Sequence, residues 1–290
     1  MKKEVKLIKK VKRLVKRLGC PRWLHHFGPK IYEFYEHLSP LLMKQFCKGM
    51  SYRRIVELFD LFGINCQSKS ALQYTAKRIP SWLWNKILEL TSNLRHHIIA
   101  LDGTGFSRLN PSYYYLRRID GKIPRMYSKL SAALDTKTKK FCAAKVRIIP
   151  RHDMIDAKYL VSKTKPNILV ADKAYDANSI YEYCSAQGIA VHIPKRDYGK
   201  GKHLRLSTRR KLSRKFRQRT YNRRVMIEAV FSAVKRKYGS SVNSKTASTI
   251  RAEVYGKLIC HNLFSYLSRV LGQSRFFIKY KTSIYLSKNI

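Results

Sequence analysis

The hydrophobic pattern changes period near residue 97, and that change restricts the chain to a mixed α/β architecture. From there HIIALDG (97–103), YYYLRRI (113–119), YSKLSAAL (127–134) and FCAAKVRII (141–149) alternate or run apolar as strands do. AKYLVSK (157–163) suits a helix and NILVAD (167–172) a buried strand. SIYEYCSAQG (179–188) is a helix closed by glycine, and IAVHIP (189–194) a strand closed by proline. A basic, apolar-poor segment follows at 195–220, then a helix from Tyr221 and an apolar helical stretch at 247–271. The first strand and the one at 167–172 each finish on an acid, Asp102 and Asp172. Ligands of open α/β sheets gather at the carboxyl ends of strands, so neighbouring strands would bring the two acids together.

Ahead of the sheet the pattern is helical. In KKEVKLIKKVKRLVKRL (2–18), Val5, Ile8, Val11, Val15 and Leu18 recur at helical spacing among cations, and Gly19 and Pro21 stop the run. This helix reads as packed by one stripe, as a contact to a DNA backbone, or as membrane-surface binding. At 51–79, Ser51 caps a helix carrying Ile55, Leu58, Phe59 and Phe62, and Gly63 turns the chain. Ser68 or Ser70 then starts a second helix with Leu72, Thr75 and Ile79. That is the outline of a helix-turn-helix, or of a plain helical hairpin. As a helix-turn-helix it would aim Lys69, Gln73 and Lys77 at the major groove.

The formal net charge is +44, from 61 Lys and Arg against 17 Asp and Glu. Such a chain repels itself unless a polyanion neutralises it, and DNA is the natural partner because phosphate contacts release counterions. The charge runs along the whole chain, unlike a polybasic membrane anchor. No apolar run is long enough to span a bilayer, and lysines interrupt the N-terminus where a signal peptide needs an apolar core. The six cysteines lack metal-binding or C-x-x-C spacing and read as buried thiols in a reducing compartment. The expected location is cytoplasmic and nucleoid-associated, without a membrane.

In YNRRVMIEAVFSAVKRK (221–237) a single acid, Glu228, stands among cations. At about 100° per residue, Tyr221, Arg224, Glu228 and Lys235 fall within an arc of about 60°. Met226, Ile227, Val230, Ala233 and Val234 take the opposite side. The apolar stripe can dock on a sheet while the polar face projects over its edge. Glu228 could then join Asp102 and Asp172 around hard divalent cations such as Mg2+ or Mn2+, which take carboxylate, phosphate and water oxygens. Two such ions can serve both oxygens of a phosphodiester displacement. Arg224 suits bidentate phosphate contact, Lys235 a point charge, and Tyr221 a hydrogen bond or base stacking. Alternatively, Glu228 merely pairs with Arg224 one turn away.

Tyr221-x2-Arg224-x3-Glu228-x6-Lys235 resembles the Y-R-E-K signature of insertion-sequence DDE transposases. LDGTGF around Asp102 and ADKAYDA around Asp172, with Tyr175 and Asp176, resemble that family's two aspartate strands. The resemblance covers roughly residues 95–270. It implies a ribonuclease-H-like mixed sheet flanked by helices, with the DNA-binding region in its usual place ahead of it. It also implies a catalytic triad of Asp102, Asp172 and Glu228, with Tyr221, Arg224 and Lys235 handling the transposon end. Some members carry a long β-rich insertion before the glutamate helix, whereas 195–220 here is short and basic.

The expected organisation is therefore a helical DNA-binding region at 1–94, a catalytic domain at 95–272 and a tail at 273–290. The expected activity is two-metal cleavage at element ends and strand transfer into target DNA by a homodimer in a synaptic complex. Two alternatives are a nuclease of the same fold and a non-catalytic DNA-binding protein derived from a transposase. Other residues have plainer expectations. Asp153, Asp156 and Asp176 read as helix caps, His152 as a surface residue, and His96 and His97 as neighbours of the first strand. Trp23, Trp82 and Trp84 read as packing residues, and Cys184 as inert.

Overall fold

The structure, a computed structural model, describes residues 3–19, 22, 23, 30–92, 97–108, 127–196 and 208–264. The expected strand at 113–119, the tail at 273–290, His96 and residues 197–207 of the basic segment lie outside them. Ahead of the sheet come α1 (Lys3–Leu18), α2 (Phe34–Phe46), α3 (Tyr52–Leu61), α4 (Lys69–Arg78) and α5 (Ser81–Thr91). The sheet region runs β1 (Ile98–Arg108), β2 (Tyr127–Asp135), β3 (Lys140–Arg147), α6 (Met154–Thr164), β4 (Ile168–Ala171), α7 (Asn178–Ala186) and β5 (Ala190–His192). It continues with α8 (Thr208–Ser213), α9 (Gln218–Tyr221), α10 (Val225–Tyr238), β6 (Ser241–Val242) and a final helix, α11, described over 247–264. This is the expected mixed sheet flanked by helices and preceded by a helical region.

The strand order is β3-β2-β1-β4-β5, with β6 also on β1. β1, β2 and β3 are antiparallel, whereas β4 and β6 run parallel to β1 and β5 parallel to β4. β4 pairs with Ile98–Leu101 and β6 with Ser107 and Arg108. Between them, one flank of β1 from Asp102 to Phe106 has no neighbouring strand among the described pairings. That gap opens where Asp102 stands.

The expectation that the first strand ends on Asp102 is corrected here. β1 continues six residues further, with Gly103 opposite Ser131 and Gly105 opposite Lys129. Asp-Gly reads as a turn because glycine tolerates left-handed backbone, but Gly103 instead permits a close approach. A Cβ there would lie 2.3 Å from Oδ1 of Asp153.

Side-chain alternation divides the sheet between two layers. Ile99, Leu101, Ala133 and Ala143 face α6 and α7, meeting Leu160, Val161, Ile180 and Tyr181. Ala100, Leu130, Ala132 and Phe141 face α10 and α11, meeting Ile227, Val230, Phe231 and Leu258. Asp102 shares the parity of Ala100 and so belongs to the α10 side. Leu38, Trp84 and Ile87 of the preceding helices join this second core, so helical region and sheet share one continuous interior.

Among the described strands β3 lies at the edge of the sheet, and unpaired edges invite aggregation. Two buried asparagines cover it. Asn262 donates to Phe141 O at 2.8 Å and accepts from Phe141 N at 2.9 Å. Asn85 accepts from Ala144 N at 3.0 Å, and Tyr255 donates to Ala144 O at 2.8 Å.

α1 packs through Leu7, Val11, Leu14 and Val15, with Ile8 and Leu18 half-buried. The expected stripe therefore rotates toward Leu7 and Leu14, because α1 lies between α2 and α5 and a broader face is covered. In the helical hairpin, Ser51 accepts from Arg54 N and Ser68 from Ala71 N, both at 3.3 Å, as N-caps do. Ile55, Phe59, Leu72 and Thr75 turn inward, while Lys69, Gln73 and Lys77 are exposed.

Candidate active site

Leu101 and Ala171 are register partners on parallel strands, so Asp102 and Asp172 follow side by side. Each carboxylate accepts the N–H of its own next residue: Gly103 N at 2.8 Å for Asp102 and Lys173 N at 2.6 Å for Asp172. The gap beside β1 receives a single 3-10 turn, Asn222–Arg224, which lies against β1 and β4. Arg224 reaches Asp102 Oδ2 at 3.4 Å and Glu228 Oε1 at 2.7 Å. Asp102 and Glu228 thus share one guanidinium, and Asp172 stands beside Asp102 on the neighbouring strand end. Glu228 occupies the first turn of α10, where an acid also suits the helix dipole.

The electrostatics follow from crowding. Burial pushes the Asp102 carboxyl above the usual aspartate range; the Gly103 N–H and Arg224 oppose this, and the Glu228 and Asp172 charges add to it. For Arg224, burial favours loss of charge, but Glu228, Tyr221 and Asp102 outweigh it and hold the proton more firmly. Carboxylates crowded in this way repel one another when charged, and a cation relieves that repulsion. Arg224 supplies one, and an oxygen donor set of this kind also fits a hard divalent ion. Among the described residues, no three His, Cys, Asp and Glu side chains are already drawn together as metal ligands.

A family model described as a transposase DDE domain matches residues 93–263, more than half of the 290-residue chain. The chain belongs to that family. No curated protein matches it. Among solved structures it is similar to the piggyBac transposase in a cryo-EM synaptic complex with hairpin DNA. The identity is 11% and the TM-score 0.48, over 93% of this chain and 73% of that one.

In this transposase the expected continuous helix from Tyr221 is interrupted. Tyr221 ends α9, and the 3-10 turn precedes α10. Such a turn advances about 120° per residue, not 100°, so Tyr221 leaves the helical wheel drawn from sequence. It nonetheless stays beside Arg224, whose guanidinium lies 5.9 Å from its ring centroid. Phe216 packs against Tyr221 at 5.6 Å and against His192 at 6.3 Å, and His192 Nδ1 accepts from Arg217 N at 3.1 Å. Phe216 and His192 were not legible as site supports, since neither belongs to a motif. Burial, then the Arg217 charge, lowers the His192 pKa, which favours the neutral ring.

Lys235 stands apart from the acids. It lies about 10 Å along the helix axis from Glu228, with Nζ 5.7 Å from the Phe106 ring centroid. Burial lowers its pKa. Phe231, absent from the expected apolar stripe, is buried and stacks on Phe141 at 5.7 Å.

The capping assignments of three aspartates are corrected. Asp153 makes no cap bond and pairs with Lys129 at 2.9 Å. Asp156 is buried, pairs with Arg147 at 2.6 Å and accepts from Ser131 at 3.1 Å. Asp176 is buried and accepts from Arg196 N at 2.6 Å and from Arg209 Nε at 2.7 Å. Each acid faces a cation that sequence separation hid, and a paired buried charge gains more than a helix end offers. Asp176 thereby holds the residues on either side of 197–207. His152 is exposed as expected, and His97 is exposed with Nδ1 3.4 Å from Asn167. Trp84 is buried, but Trp82 is 68% exposed, against the packing expectation, because α5 turns that side of its first turn outward.

Proposed function

We propose that this transposase cuts DNA at the ends of an insertion sequence and joins the freed ends to target DNA, with Asp102, Asp172 and Glu228 as its catalytic carboxylates. The observation that carries the reading is that Arg224 joins Asp102 to Glu228 at the gap beside β1, while strand register sets Asp172 beside Asp102. The strand order supports a ribonuclease-H-like catalytic domain at 95–272, after a DNA-binding region at 1–94. Bound Mg2+ or Mn2+, two ions in this reading, would supply Lewis-acid stabilisation and an activated oxygen nucleophile. Asp102, Asp172 and Glu228 are the residues that would hold them. When the carboxylates are neutralised from another source, the Arg224 guanidinium is released to grip a phosphate bidentately. Tyr221, beside it, contacts the same strand by hydrogen bond or stacking. Lys235 offers a point charge further along. Lys69, Gln73 and Lys77, exposed on α4, read the element end in the major groove. Two ends must meet, so a homodimer is the working unit.

The test is cleavage and joining of labelled DNA carrying the element's own ends, with Mg2+, by wild type and Glu228→Gln. The reading requires that wild type cut and join, and that the variant bind DNA but do neither. Calorimetric titration with Mn2+ gives an independent readout, with binding weakened in the variant. A variant as active as wild type removes Glu228 from the site.

A further inference from the structure

A groove of about 900 Å3 lies on the β3 edge of the sheet, between α5, α6 and α11. Among the described residues its walls carry Lys145, Arg147, Arg151 and Arg251 and no acid. Arg147 is occupied by Asp156. Lys145 lies over the Tyr159 ring, 4.9 Å from its centroid. At the mouth, Trp82 is 68% exposed and Ile149 67%. An indole left in water beside a row of cations has a cost that packing does not explain, since its neighbour Trp84 is buried completely enough to hold α5 down. Cations spaced along a groove with an accessible aromatic face form the surface on which unpaired bases stack while the backbone is neutralised. The groove is also tied to the carboxylate strand. Arg151 O accepts from Lys129 Nζ at 2.7 Å, Lys129 pairs with Asp153 at 2.9 Å, and Asp153 abuts Gly103, the residue after Asp102.

We propose that this groove binds a single-stranded stretch of DNA, with one base stacked on Trp82 and the backbone held by Arg151 and Arg251. The inference extends the proposed DNA-processing function: the groove would receive strand that has lost its partner near the cut. It rests on that reading for its purpose, but its binding can be measured separately.

The experiment measures fluorescence anisotropy of a labelled 12-nucleotide thymidine oligomer with the full-length protein across a salt series. Trp82→Ala is expected to weaken binding about tenfold, and Trp82→Phe to recover most of the loss. Arg151→Gln combined with Arg251→Gln is expected to reduce the slope of log affinity against log salt by about 1.4, two phosphates' worth for single strands. Photocrosslinking with 5-iodouracil in the oligomer is expected to map to Trp82. Trp82 is exposed, so its replacement leaves the fold intact, which a thermal melt verifies. Unchanged affinity and slope in these variants overturn the proposal, as does failure of wild type to bind the oligomer. A groove that docks a protein instead gives that same unchanged result. If the Glu228 test fails while Trp82→Ala still weakens the oligomer, the catalytic assignment falls and the groove stands.

Discussion

Replacing Arg224 with glutamine removes the one described cation seen bridging Asp102 and Glu228, and the consequence can be sized from the structure. The Arg224 side chain is 17% exposed, Asp102 20% and Glu228 49%. The Glu228 contact is a half-exposed pair one turn apart, worth about 0.3–0.5 kcal/mol after solvent screening. The Asp102 contact is longer, 3.4 Å, but better shielded, and adds about 1 kcal/mol. Without a divalent ion, Arg224→Gln should therefore cost about 1–2 kcal/mol at neutral pH, or several degrees in melting temperature for a domain of this size. The residual repulsion among the carboxylates is what a cation would relieve. Millimolar Mg2+ should therefore raise the melting temperature of the variant more than that of wild type, narrowing the gap by mass action. Differential scanning fluorimetry with and without Mg2+, at fixed ionic strength, reads both effects. If the variant melts with wild type in EDTA and Mg2+ shifts the two equally, Arg224 does not bind Asp102 and Glu228 into an electrostatic unit, and the acids do not gather a divalent ion.

Three further outcomes follow from particular contacts. Lys257 is buried, donates to Gly239 O at 3.0 Å and Ser241 O at 2.5 Å, and burial lowers its pKa to about 8. Its folded value lies below the unfolded one, so the unfolded chain holds the extra proton between about pH 8 and 10.5. Stability from this group is full above that window and falls as pH drops through 8. Urea melts should show wild type gaining up to about 3 kcal/mol relative to Lys257→Met from pH 8 to 10.5; no gain refutes the assignment. Asn262→Ala strips the cover from Phe141 N and O on the edge strand and should cost about 2–4 kcal/mol by denaturant unfolding. Amide exchange at Phe141 should quicken; protection equal to wild type would contradict this role. Gly103→Ala forces a Cβ to within 2.3 Å of Asp153 and should cost about 1–3 kcal/mol. Adding Asp153→Ala should restore most of that loss, and if the double variant is no more stable than Gly103→Ala, the clash is not the cause.

The acids of the candidate site were legible because each carries a local signal. Asp172 follows a short apolar run, and Glu228 is a lone acid in a cationic helix. Ser51 and Ser68 likewise announce their caps by position. The length of β1 was not legible, because Asp-Gly means a turn to a local reading and only Asp153, fifty residues on, gives Gly103 a different task. The same blindness to distance turned Asp153, Asp156 and Asp176 into caps.

By itself, the sequence determined the class of fold, the alternation of strand and helix after residue 97, the excess of positive charge, and which acids are candidates for the site. These depend on period and composition, which act over a few residues. Only the tertiary structure decided that β4 and β6 leave a gap on β1, that a 3-10 turn enters it, and that Arg224 meets two carboxylates there. It also decided that Trp82 faces solvent while Trp84 does not. Those outcomes depend on pairing register and on charges that meet across 33 to 122 residues of chain, as Arg209 meets Asp176 and Arg224 meets Asp102. Coulomb energy and burial depend on separation in space, which no local pattern encodes.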